Sequence, residues 1–509
     1  MIASERRLVA THPGWQSGPN RILALLQMAT RRRQSQPDYL GHPLPWETVL
    51  GLLVTWHHEF PTASGAIDHE DATELVEAAI RLSHVVNLEL ASRIGAYHVR
   101  KRGKGFVLTH RWNPAIEVAD AVLEQEAAPK LSSRLTEAES AWIATKAGES
   151  RSLPPLEVLQ ASAARARDSI TILREHQPEG ALPESFSLGD QLTVGHAIDL
   201  LAALMGFADL CTATANILQR TETTLVTMST TTLSNLLTKL APECTSAHVD
   251  NLLERLTFKN GRLPHYSPLV RVGDDSLIIC PPLIGIRLVD PLVLRSAGYD
   301  PNRFGPIGKS LGDLATRWTT WLKKIPGALV AERIKVTYPN GRQAGDLDVL
   351  AIDPTTKTAI CLEIKWPVDA WALTEVVKVE EWAEKAALQI ARVRAGLASG
   401  ETTAKLPARW PDLSDFTWTW AVGIPRQLCL RPLPEPDIEV TSLRYLLALG
   451  EPTNLEAIAN ALAKRDLPIA GEHFTVDRLT LPLQRGTIHL DVLIMDPAKP
   501  WIPFQQQTP

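Results

Sequence analysis

Apolar positions recur at steps of three and four through most of the first 260 residues, which is the period of amphipathic helices. Residues 1–150 therefore read as a mainly helical domain with one interruption at Tyr97–Arg111. There two β-prone runs, His98–Arg100 and Phe106–His110, flank Gly103 and Gly105, a hairpin signal. Residues 151–300 read as a helical or α+β domain. Pro154-Pro155 opens a helix, and Gln177–Pro183, with Pro178 and Gly180, closes it. Two more helices, Leu233–Leu240 and Ala247–Leu256, are joined at Ala241-Pro242-Glu243. A second hairpin pairs Leu269–Val272 with Leu277–Cys280 around Gly273-Asp274-Asp275.

Beyond residue 340 the period shortens to two. Gly345-Asp346-Leu347-Asp348 opens the apolar run Val349–Ile352, and a turn at Asp353–Thr358 contains Pro354, which suits a turn and forbids a central strand. The next run, Ala359–Leu362, leads into Glu363-Ile364-Lys365. Side chains alternate along a strand, so Ala359, Cys361, Glu363 and Lys365 share one face and Ile360, Leu362 and Ile364 the other. A helix over Thr374–Ala398 follows, with Val379, Ala383, Ala386, Ile390, Val393 and Leu397 as its core stripe. One position earlier, Lys378, Trp382, Lys385, Gln389 and Arg392 form a second, basic stripe. Phe416–Val422 and Ile438–Leu443 alternate as strands, and residues 451–509 read as an α+β extension.

Composition narrows the class without choosing a function. With 509 residues, 45% hydrophobic and 21% charged, the chain has the makeup of a folded multidomain protein. A net charge of -5 excludes a uniformly basic coat but not a local basic groove, since residues 301–450 carry 19 Lys+Arg against 17 Asp+Glu. The most apolar stretch, Ala197–Leu210, contains Asp199 and Asp209 and is expected to fall short of a membrane span. The five cysteines are scattered with no zinc-ligand spacing, which fits a reducing cytoplasm. Tryptophan is over-used, with 14 against 9 Phe and 6 Tyr.

Phosphate chemistry has few candidates. Walker, dinucleotide and GxSxG patterns are absent, and Gly305-Pro-Ile-Gly308-Lys309-Ser310 has the wrong spacing for a phosphate loop. Arg100, Lys101, Arg102 and Lys104 crowd the tip of the first hairpin, so either a phosphate-contacting wing or a solvated turn fits. Helix, turn, helix and hairpin over residues 229–284 is the order of a winged helix and equally of any small α+β unit.

The stronger constellation is Asp348, Glu363 and Lys365. Carboxylates at the end of apolar strands require a partner, and a lysine salt bridge or a divalent cation would each serve. Two carboxylates beside a lysine suit metal-assisted phosphodiester hydrolysis. Asp348, fifteen residues, then Glu363-Ile364-Lys365 resembles the PD-(D/E)XK, or restriction endonuclease-like, nuclease superfamily over about residues 300–450. That resemblance implies an α/β fold, a mixed sheet flanked by helices, preceded here by mainly α-helical regions. It makes Asp348 and Glu363 ligands of Mg²⁺ (or Mn²⁺), Lys365 the catalytic lysine and the Ile364 carbonyl a further metal contact. Glu332 stands where the family often carries an acidic residue on its first helix, and Asp346 departs from the common pattern and could compete for the metal. Gln389 is the candidate site residue of the following helix. Lys378, Lys385 and Arg392 are candidate nucleic-acid contacts, and Trp366 a candidate for base stacking. Leu490-Asp491-Val492-Leu493 echoes the first motif, but no ExK follows it, so it reads as a surface strand.

The expected activity is thus nucleic-acid cleavage, of DNA in the first place, in a setting such as prokaryotic genome defence or repair. The helical N-terminal regions would supply recognition, oligomerisation or contact with a protein partner. The alternatives are a non-catalytic binding or scaffold protein with a relic nuclease fold, and a nuclease subunit activated by a partner.

Overall fold

The bounds of these elements are taken from a computed structural model. It describes residues 2–504 apart from 36–37, 40–41, 44–45, 94, 112, 128–134, 146–152, 178–180, 218–224, 260–266, 282–283, 285–288, 300–301, 303, 314, 366–372, 426–432 and 484–485. About half the chain is helical, and the whole is mixed α/β with a curled mixed sheet.

In the N-terminal region α1 (Arg21–Ser35), α2 (Trp46–Glu59) and α3 (His69–Arg93) close on a core containing Leu25, Leu53 and Leu75. The fully buried guanidinium of Arg21 donates to the carbonyls of Trp15, His57, Phe60 and Pro61, which is how a charged group is tolerated there. The expected hairpin forms from β1 (Tyr97–Arg102) and β2 (Gly105–His110), with Gly103 in the left-handed conformation at its turn (φ +59°).

Next, α4 (Leu156–Glu175) packs along α5 (Val194–Ile217). The helix α5 outruns the expected apolar stretch at both ends, because Val194 and the small residues after Cys211 continue the run. Val194–Thr214 is long and apolar enough to cross a membrane, contrary to expectation, yet 72% of its most apolar window is buried within the fold. A helix apolar on all sides suits such a central position. Its crossing with α4 is close at Gly206, where an added Cβ would lie 2.5 Å from the carbonyl carbon and oxygen of Ser162. Gly206→Ala is expected to destabilise this region by about 2 kcal/mol, read as a lower urea midpoint, because backbone rather than a flexible side chain must give way.

A smaller unit follows: β3 (Val226–Ser229), α6 (Thr230–Leu240), α7 (Ser246–Leu256), β4 (Leu269–Val272) and β5 (Ser276–Ile279). Its sheet order is β3-β5-β4. Ser229 caps α6, and Thr245 with His248 forms a capping box on α7, which explains where both helices begin.

The ExK segment lies in a six-stranded sheet. After α8 (Phe304–Asp313) and α9 (Thr316–Leu322) come β6 (Leu329–Thr337), β7 (Gln343–Asp353), β8 (Thr358–Ile364), α10 (Leu373–Ala398), β9 (Thr403–Ala404), β10 (Thr417–Gly423), β11 (Glu439–Thr441) and α11 (Leu455–Lys464). The order is β9-β6-β7-β8-β10-β11, antiparallel as far as β8 and parallel beyond it. The expected stripe of α10 covers one face, against Leu350, Ile352, Ala359 and Cys361. Trp318 and Leu322 of α9 and Ile458 and Leu462 of α11 cover the other, against Val349, Ala351, Ile360 and Leu362. Trp418 and Trp420 stack on each other (5.0 Å between centroids) within the α10 side of this core.

Last, β12 (Phe474–Leu483) and β13 (Gly486–Met495) form a hairpin whose second strand runs parallel to β2, giving a four-stranded sheet β12-β13-β2-β1. The second Leu-Asp-Val-Leu copy lies on β13, where Asp491 pairs with Arg478 at 2.7 Å. Residues 97–110 and 474–495, far apart in sequence, thus contribute to one sheet. Its edge strand β1 carries Arg100, Lys101 and Arg102, a charged edge that discourages further strand pairing.

Candidate active site

Register brings the two carboxylates together. The last pair of the β7–β8 ladder is Val349 with Leu362, so Asp348 and Glu363 stand opposite one another one step further on. Asp348 lies inside β7 rather than at its head. Its Oδ2 accepts a hydrogen bond from the Ile364 amide at 2.8 Å, which fixes the carboxylate against the end of β8. Glu363 is buried, at 3% exposure, and its Oε1 accepts from Lys365 Nζ at 2.5 Å. Burial is the main cause pushing both carboxyls above the usual carboxylate range. For Asp348 the Ile364 amide and Lys365 pull the other way. For Glu363 the Asp348 charge adds to the upward push, and Lys365 only partly offsets it.

A kink opens the sheet at this level. The β6–β7 ladder pairs Glu332 with Val349 and Ile334 with Leu347 but skips the pair between them, Arg333 and Asp348. Arg333 has φ +53°, a left-handed conformation that non-glycine residues rarely adopt. Packing changes side there: Val349 belongs to the core under α9, whereas Ile334 and Leu347 join the core under α10. Glu332 consequently turns toward α9, where its Oε1 accepts from the Thr319 hydroxyl. Strain of about 1–3 kcal/mol at such a residue persists only where its surroundings impose it.

Around these groups lies a recess of about 550 Å³. Asp348, Ile364, Lys365, Glu332 and Arg333 line it from the strands and their ends. Trp382, Lys385 and Gln389 contribute from α10, and Gly308 and Gly312 from α8, with Ala315 just beyond. The sequence-derived candidates thus converge in part. Asp348, Ile364, Lys365, Glu332, Gln389 and Lys385 line one recess, with Glu363 buried behind Lys365.

Other candidates fall elsewhere. Glu332 is on strand β6, not on a helix, because Leu329–Thr337 pairs with β7 on either side of the kink. Asp346, on β7, adds to the negative field at Asp348 and Glu363 without lining the recess. Arg392 is exposed on α10, two turns of helix from Lys385, and is not a lining residue. Trp366 lies outside the described residues, and Lys378 lies on α10 with no side-chain placement described. Arg100, Lys101, Arg102 and Lys104 are exposed on the other sheet. In the smaller unit, the exposed side of α7 carries Asp250 and Glu254 and the hairpin tip Asp274 and Asp275, with Lys259 and Arg271 also exposed.

Four lining positions, Gly308, Gly312, Ala315 and Arg333, were not among the sequence candidates. Arg333 betrays itself only through its backbone conformation. Gly308 and Gly312 form part of a helix wall, not a phosphate loop, and their spacing of four was the available signal.

Among the described residues no group of three or more His, Cys, Asp or Glu side chains could hold a metal ion. The donor set on offer is two carboxylates and strand-end backbone, which are hard oxygen ligands. No family model, curated protein or solved structure matches the chain.

Proposed function

We propose that the chain is a metal-dependent nuclease of the PD-(D/E)XK kind that hydrolyses phosphodiester bonds, with DNA as the first substrate to test. One observation carries this reading: half-buried Asp348 and buried Glu363 stand opposite each other beside Lys365 at the floor of a recess that Asp348 and Lys365 line, and both carboxyls are held toward the protonated state. Two adjacent buried carboxylates repel, and a cation shared between them removes that penalty.

Asp348, Glu363 and the Ile364 carbonyl would hold Mg²⁺ or Mn²⁺. Such an ion, when bound, supplies Lewis-acid polarisation of the phosphate and a more acidic water. The chain's own groups do the rest. Lys365 leaves Glu363 for the phosphate or the attacking water, since its ammonium is half-buried and already at the recess. Lys385 and Arg333 supply positive charge at the rim, and Gln389 supplies a neutral donor and acceptor to orient the substrate. The exposed hairpin Arg100–Lys104 adds phosphate contacts remote from the recess.

The second reading, a scaffold with a relic fold, gains from the 2.5 Å Lys365–Glu363 contact, which a structural ion pair would also make. Incubation with linear, circular and single-stranded DNA and with RNA, in Mg²⁺, Mn²⁺ or EDTA, separates the two. Cleavage in either metal and none in EDTA is expected. Binding unaltered by EDTA, with no cleavage in any metal, would establish the scaffold instead.

A further inference from the structure

We propose that the recess takes its substrate as a single strand, with one base stacked on Trp382, so that single-stranded or locally frayed nucleic acid is the substrate class. This rests on the nuclease reading above and deepens it.

Dimensions come first. A recess of about 550 Å³ has room for a group the size of one nucleotide. Two helices, α8 and α10, supply its walls above Asp348, inside β7, and Lys365, just past the end of β8. A duplex keeps its bases inside the stack, so a base that stacks on Trp382 at this recess must be unpaired from its partner strand.

Chemistry agrees with the dimensions. Trp382 is 39% exposed although its helix is packed against the sheet, and it lines the recess. Every base has a face that an indole accepts, so this contact holds a strand without reading its sequence. Lys385 lies three residues on, on the same side of α10, placed for a phosphate adjoining the stacked base. Across the recess, α8 offers Gly308 and Gly312. A Cβ at Gly308 would meet nothing within 4 Å, and one at Gly312 only the Arg333 guanidinium at 4.0 Å. That wall leaves room for a sugar-phosphate chain to lie against helix backbone. Each feature alone suits many sites, and their convergence on the Asp348–Lys365 recess is what points to one unpaired strand.

The test measures binding by fluorescence anisotropy in Mg²⁺, in a full-length Lys365→Ala background, with labelled single-stranded and duplex oligonucleotides of one sequence. The single strand is expected to bind at least tenfold more tightly than the duplex. Trp382→Ala should weaken single-strand binding about tenfold and leave duplex binding unchanged, while Trp382→Phe retains it. Gly308→Phe should also block the single strand, and since its ring enters open space the fold is expected to persist, as checked by circular dichroism. Equal or tighter duplex binding, or indifference to both Trp382→Ala and Gly308→Phe, overturns the proposal. Cleavage by the wild-type chain is scored separately. Cleavage with duplex preference refutes the single-strand site and spares the nuclease. Trp382-dependent single-strand binding without cleavage in any metal refutes the nuclease and spares the site.

Discussion

Lys365→Ala is expected to lower metal-dependent cleavage about a thousandfold while changing substrate affinity by no more than about threefold. A positioned proton-transfer or charge-stabilising group typically contributes 10²–10⁴ in rate, and Lys365 is the cation nearest the paired carboxylates. Its side chain is 30% exposed, so removing it leaves no large cavity. It does leave Glu363 without its hydrogen-bonding partner. That carboxyl is already held high by burial and by Asp348, so at neutral pH it takes up a proton rather than remaining a bare buried charge. The variant should therefore fold, with an unchanged circular dichroism spectrum and a denaturation midpoint close to wild type. Single-turnover cleavage of a labelled oligonucleotide gives the rate. Activity equal to wild type would remove Lys365 from the chemistry, and loss of the folded spectrum would make the residue structural.

Local pattern foretold the parts that local physics controls. The core stripe of α10 follows from steps of three and four, and Val379, Ala383, Ala386, Ile390 and Val393 are all buried where that period places them. The turn between β7 and β8 follows from Pro354 and the residues around it, and the facing of Asp348 and Glu363 follows once the two runs pair across that turn. Glu332 shows the limit. Its neighbours Ala331, Ile334 and Val336 suit either period, so only pairing with β7 decides for a strand. The left-handed Arg333 is invisible because arginine carries no conformational signature comparable to that of glycine.

Long-range geometry was the other blind spot. Nothing within Phe106–Leu108 or Ile488–Leu490 announces that these strands lie side by side in parallel, although some 380 residues separate them. The recess likewise needs α8 to come over the strand ends, and Gly308 and Gly312 become meaningful only when that wall is in place. Tryptophan usage divides along the same line. Trp318 and Trp420 are core, as the apolar pattern around them implies, whereas Trp382 stays at a rim on a helix face that periodicity marks as polar.

Glu363→Gln should separate a metal site from a structural salt bridge, because the two predict opposite signs for stability. If Glu363 serves chiefly to hold Lys365, removing its charge strands a half-buried ammonium and destabilises the fold. The site described here predicts the reverse. Burial and the neighbouring Asp348 already make the ionised form of Glu363 unfavourable, and Lys365 offsets only part of that. A carboxyl whose pKa is raised on folding binds more protons in the folded than in the unfolded state between the two pKa values. Stability of the wild-type chain in EDTA should therefore fall as pH rises from the ordinary carboxylate range toward the raised folded value. Glutamine, isosteric and uncharged, removes that slope. In EDTA at pH 8 the variant is expected to be at least as stable as wild type by urea denaturation, and at pH 5 the two should converge. Cleavage should nonetheless drop about a thousandfold, since a neutral amide is a poor ligand for a hard divalent cation. The same ion should raise the wild-type midpoint and leave the variant's nearly unmoved, because only a chain that binds the ion when folded is stabilised by it. A variant less stable than wild type at pH 8 in EDTA, with no response of the wild type to Mg²⁺ or Mn²⁺, would assign Glu363 and Lys365 to a buried ion pair and leave the recess without its metal.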